Sequence, residues 1–140
     1  MLATKTITIG GKEFEMMYCA ATENGYERMV SGTGKDINVF LPTVLERDEN
    51  GTPTKIAPPT ASNEDYEMLA IAAIIAASER KKINLDVVEM TNCVMYDAKG
   101  PEVIALINVL SELRNAWYSI PEAVKPETDE KPGDDDPKNA

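Results

Sequence analysis

The sequence predicts a mainly α domain (α+β): an N-terminal β-hairpin, a small bundle of about four helices, and a disordered acidic C-terminal tail. Three observations predict it. Apolar and polar residues alternate on both sides of Gly10-Gly11. Helix-start signals followed by apolar stretches recur at Ser62, at Asp86 and at Lys99-Gly-Pro101. Residues 121–140 hold four prolines and seven acids, with Val124 the only large aliphatic. The expected organisation is one mainly helical domain over 1–120, interrupted by a Pro-rich loop at 42–61, then the tail at 121–140. A chain of 140 residues, 43% of them hydrophobic, is long enough to bury a real core.

Thr6-Ile-Thr-Ile9 and Lys12–Tyr18 form the two arms of the hairpin, and Gly10-Gly11 supplies the positive φ angles of a tight turn. An isolated hairpin is marginal in water, so its face carrying Ile7, Ile9, Phe14 and Met16 is expected to rest on helices. A helix from about Thr22 to Val30 follows and stops at Ser31-Gly-Thr-Gly34; Gly25 inside it costs on the order of 1 kcal/mol relative to Ala. Asp36–Leu41 reads as a short strand or an extended connection.

Between Pro42 and Ala61 lie four of the nine prolines. Asn50-Gly51 would turn a projecting hairpin between Val44-Leu45 and Ile56, whereas Pro53, Pro58 and Pro59 argue for a mobile loop. Ser62-Asn-Glu-Asp65 then caps a long apolar helix, and Asp86-Val-Val-Glu89 caps a shorter one reaching about Tyr96. Pro101 stands at the first position of the last helix, which runs to about Tyr118. Its apolar arc is Val103, Leu106, Ile107, Leu110, Leu113 and Trp117.

Composition removes several classes of chemistry. The chain has no histidine, which excludes serine–histidine and cysteine–histidine catalysis and histidine-type zinc sites. Two cysteines, Cys19 and Cys93, cannot build a four-thiolate site and read as small buried hydrophobes. Gly32-Thr-Gly34-Lys35 resembles the end of a phosphate-binding loop, but Met29 stands where the first glycine belongs and Asp36 where a hydroxyl belongs. It reads as a helix-terminating turn. No cofactor or metal is expected, and no catalytic residue can be named. With 24 acids against 14 bases and a net charge of −10, nucleic-acid binding is not expected. The apolar run is too short for a membrane span, and Met1–Ile9 lacks a signal-peptide pattern, so the chain reads as cytosolic.

Met68–Ala77 is ten apolar residues without a break. On a helix, Met68, Ile71, Ile74 and Ile75 form a bulky arc; Ala70, Ala73 and Ala77 form a small one, flanked by Tyr66 and Leu69. Either both surfaces are covered inside the domain, by the hairpin and the last helix, or one serves a partner. Burying two such isoleucines in a partner would contribute roughly 3–6 kcal/mol before association costs. The partner-binding candidates are therefore Tyr66, Met68, Leu69, Ile71, Ile74 and Ile75, with Trp117 and Tyr118 at the end of the last helix.

The order of features is similar to the tail assembly chaperones of long-tailed bacteriophages. The shared segments are the strand pair Ile7–Met16, the turn Thr33-Gly-Lys-Asp-Ile37, the apolar helix Leu69–Ala77, the Leu85–Thr91 segment, and the amphipathic helix ending near Trp117. The likeness covers about residues 5–120; the long Pro42–Ala61 connection and the acidic extension depart from it. It implies a non-enzymatic chaperone that coats the apolar tape-measure protein before the tail tube polymerises, with the tube protein as a further partner in some members. A homo-oligomer is compatible with it. It also implies residence in the bacterial cytoplasm and absence from the mature virion. The alternatives are a structural virion component, such as a tail-completion or head–tail connector subunit, and a small acidic adaptor or regulator of a host protein.

Overall fold

A computed structural model describes residues 3–119; the acidic tail expected at 121–140 lies outside the described residues. Strands β1 (Thr4–Ile9) and β2 (Lys12–Met17) pair antiparallel, with Ile7 opposite Phe14 and Ile9 opposite Lys12. Gly10 and Gly11 both have positive φ, 58° and 80°, as a two-residue turn of this hand requires. Helix α1 (Ala20–Met29) follows, starting two residues before the expected boundary. The hairpin and four helices agree with the fold class expected from the sequence.

The structure corrects one expectation and decides another. The middle of Asp36–Leu41 is neither strand nor extended: Ile37–Phe40 forms a 3₁₀ turn capped by Asp36, whose Oδ1 accepts from the Asn38 amide at 2.9 Å. The turn drives Phe40 into the core, where its ring meets Tyr26 at 4.9 Å and Tyr66 at 5.1 Å, both edge to face. Of the two alternatives open for the Pro-rich segment 42–61, the hairpin is the one formed, as β3 (Thr43–Arg47) and β4 (Pro53–Ala57), and the loop expected over the whole segment is confined to its ends and turn. Asp48 organises its turn by accepting from the amides of Asn50 and Thr52, both at 2.9 Å, while Gly51 takes φ of 84°. Pro53 sits at the first position of its strand, where a missing N–H is tolerated.

Helix α2 (Asn63–Lys81) is the central element. It packs against α1, β2 and α4 (Gly100–Tyr118), and also meets α3 (Val87–Asn92) and the π-helical turn Cys93–Asp97 that extends α3. Strand β1 rests on α4. The ten-residue apolar run is thus explained: a helix covered on most of its circumference needs no polar stripe. Every residue from Leu69 to Ser78 is buried except Ile75, which is partly so. Helix α4 closes the core through Leu106, Leu110 and Leu113. Hairpin β3–β4 stands apart, its strands exposed along nearly their whole length.

Candidate partner-binding surfaces

The local framework of α2 sets which of its faces remain available. Ser62 caps the helix by accepting from the Asp65 amide, and the Asp65 carboxylate accepts in return from the Ser62 amide at 2.9 Å and its hydroxyl at 3.0 Å. The same carboxylate accepts from the Tyr26 hydroxyl at 3.0 Å and from the Lys35 ammonium at 3.2 Å. Burial opposes ionisation of Asp65, yet the bonds from Ser62, Lys35 and Tyr26 outweigh it and hold the carboxyl below the usual carboxylate range. Lys35, which the sequence places at the end of an incomplete phosphate loop, therefore pins the α1–α2 junction.

The candidate residues fall into three groups. Leu69, Ile71 and Ile74 are buried in the domain's own core, as are Ala70, Ala73 and Ala77 of the small arc, so none of these is a free surface. Tyr66, Met68 and Ile75 are partly buried against that core and keep an outward edge. Trp117 and Tyr118 are exposed at the end of α4. The Tyr118 hydroxyl donates to Glu23 on α1, which also accepts from Tyr18 at 2.7 Å. Burial and then the Glu23 contact push the Tyr18 hydroxyl well above its ordinary range, so it remains a proton donor at neutral pH.

Two apolar grooves flank α2 on different faces. The first, about 350 Å³, runs between α1 and α2 over Gly25, Ala72 and Ala76, with Met29 and Ile75 at its sides and the charged Arg28 and Glu79 also in its lining. A Cβ at Gly25 would meet the Ala72 Cβ at 3.1 Å, so the glycine permits the close approach of the two helices. The second, about 410 Å³, opens between β2, the C-terminal half of α2 and the connection leading into α3. Its apolar lining is Phe14, Ile74, Ile83 and Leu85, and its rim carries Glu13, Glu15, Asp86 and Glu89. Sequence reasoning missed both grooves. The available signals were a glycine within a helix and two large aliphatics, Ile83 and Leu85, in a short connection.

A third outward apolar feature is hairpin β3–β4, where Val44 lies opposite Ile56 and both are exposed, as is Leu45. Among the described residues no group of three or more cysteines and carboxylates is arranged to hold a metal, and no helix is long and apolar enough to cross a membrane. Cys19 and Cys93 are both free thiols. No protein-family model, curated protein or solved structure matches this chain.

Proposed function

We propose that this protein is a tail assembly chaperone of a long-tailed bacteriophage, which shields hydrophobic helical segments of the tape-measure protein and assists assembly of the tail tube. The order of the segments Ile7–Met16, Thr33–Ile37, Leu69–Ala77 and Leu85–Thr91 supports the family. The observation that carries the mechanism is the α1–α2 groove. Its small floor residues allow an apolar helix to approach closely, and Met29 and Ile75 offer adaptable walls. Exposed Trp117 and Tyr118 provide aromatic contact area at the end of α4. The net charge of −10 keeps a loaded complex soluble in the host cytoplasm.

Co-expression with the tape-measure protein of the same phage tests the reading. A soluble complex is expected, and Ile75→Asp should abolish the rescue while Ile56→Asp, on the second hairpin, leaves it intact. A tape-measure protein that stays insoluble beside the folded wild-type chain overturns the proposal.

A second reading, a tail-completion or connector subunit of the virion, is favoured by hairpin β3–β4. It projects Val44, Leu45 and Ile56 away from the domain, as an arm that docks on a neighbouring subunit would. Purified particles separate the two readings, since a chaperone is absent from them and a connector is present.

A further inference from the structure

We infer that the groove between β2 and the connection into α3 is a docking site for a cationic amphipathic polypeptide segment, one that places large aliphatic side chains on the groove floor and lysine or arginine at its rim. The floor is apolar, formed by Phe14, Ile74 and Leu85, and Ile83 stands at its lip with 46% of its surface exposed. Apolar exposure continues onto α3, where Val88 is 71% exposed. Such a concentration of outward aliphatics around a cavity marks a contact surface.

Charge identifies the occupant. Four carboxylates and no cationic side chain line the groove. Glu15 is paired with Lys81 and Glu89 with Lys12, but Glu13 and Asp86 make no ion pair among the described residues. The shallow cavity next to it, which shares Asp86 and Glu89, adds the carboxylate of Asp97 beside Lys12, the partner of Glu89. Complementary charge across an interface steers encounter and suppresses wrong partners. A second copy of this chain, with net charge −10, meets like charge here. So does the chain's own segment 121–140, with seven acids and three bases. Nucleic acid and anionic lipid are repelled for the same reason. A basic segment with apolar anchors satisfies both the floor and the rim. The assignment does not depend on the chaperone reading, whose surface is the other groove.

A fluorescein-labelled helical peptide of about fourteen residues, with leucines spaced on one face and lysines on the other, is the probe. Its counterpart carrying glutamate for every lysine is the control. Fluorescence anisotropy with the full-length chain should show binding of the lysine peptide, weakening as salt is raised, and at least about tenfold weaker binding of the glutamate peptide. Glu13→Lys and Ile83→Ser should each weaken the lysine peptide several-fold, while Ile56→Ser leaves it unchanged. Amide shift changes in ¹⁵N spectra should centre on β2 and residues 83–89. Equal binding of the two peptides, indifference to both groove substitutions in folded variants, or shift changes centred on the α1–α2 groove would each overturn the inference.

Discussion

The Tyr26 hydroxyl donates to Asp65 Oδ1 at 3.0 Å, joining the middle of α1 to the first turn of α2. Asp65 is 1% exposed and Tyr26 fully buried, so this bond is shielded from solvent. Replacing Asp65 by Ala removes the acceptor for Tyr26, for the Ser62 amide and for Lys35 at once. The expected loss is about 3 kcal/mol, a fall in thermal midpoint of roughly 10–20 °C. Lys35→Ala should cost about 1 kcal/mol or less, because the lysine is 44% exposed and its charge is screened. Equal losses from the two substitutions in thermal melts would contradict the assignment of Asp65 as the hub.

The same carboxylate makes stability depend on pH. Its folded-state pKa lies below the unfolded value, so its contribution is complete above the ordinary carboxylate range and fades as pH falls through the folded value. Glu102 acts in the same direction, held low by the amides of Lys99 and Gly10. Melting temperatures should therefore be insensitive to Asp65 from neutral pH down to about 5 and fall below about 4. Asp65→Asn should be less stable at neutral pH and lose part of the acid-side slope. An unchanged slope in that variant would count against the lowered pKa.

Gly25 is an exception to its local propensity that the packing explains. In an open helix Gly→Ala gains about 1 kcal/mol. Here the added Cβ meets the Ala72 Cβ at 3.1 Å, and neither atom can swing away. Gly25→Ala should therefore destabilise by about 1 kcal/mol, the crowding exceeding the propensity gain. Adding Ala72→Gly should relieve that contact, and a double-mutant cycle should show coupling between the two sites.

Ile74 and Ile75 are adjacent in sequence and differ in role. Ile74 is 2% exposed and faces the hairpin side of the core, whereas Ile75 borders the α1–α2 groove. Ile74→Ala should cost about 3 kcal/mol and Ile75→Ala about 1 kcal/mol. Denaturant unfolding of both variants measures the difference. A reversed order would place Ile75 rather than Ile74 in the core.

Hairpin β3–β4 contributes to surface rather than to the core. Replacing residues 43–57 by a short Gly/Ser linker should shift the thermal midpoint by no more than about 3 °C. The segment's base is held separately, by the amides of Thr60 and Ala61 donating to the Val39 carbonyl at 3.0 Å. A large fall would mean that the hairpin braces the domain.

Much of the fold is legible in local chemistry. Gly10-Gly11 between alternating arms, Ser62 with Asp65, Asp86, and Pro101 each act over a few residues, and the structure places an element at each. The 3₁₀ turn at Ile37–Phe40 was not legible, because its reason is non-local: Phe40 must reach Tyr26 and Tyr66. In the segment 42–61, Asn50-Gly51 pointed to a hairpin and the prolines to a loop. Asp48 decides it by binding two turn amides.

The site was less legible than the fold. From its sequence alone, the apolar run Met68–Ala77 had to be buried on most of its surface, since transfer of that much hydrocarbon from water dominates any local preference. What buries it was decided only in three dimensions. Helix α1, strand β2 and helix α4 cover Leu69, Ile71 and Ile74, leaving edges at Tyr66, Met68 and Ile75. Burial is a property of the residues, which a sequence displays. Exposure depends on which residues, distant in the chain, come to lie alongside. Only tertiary structure brings Gly25 to Ala72, or Phe14 to Ile83 and Leu85, and so makes the two grooves.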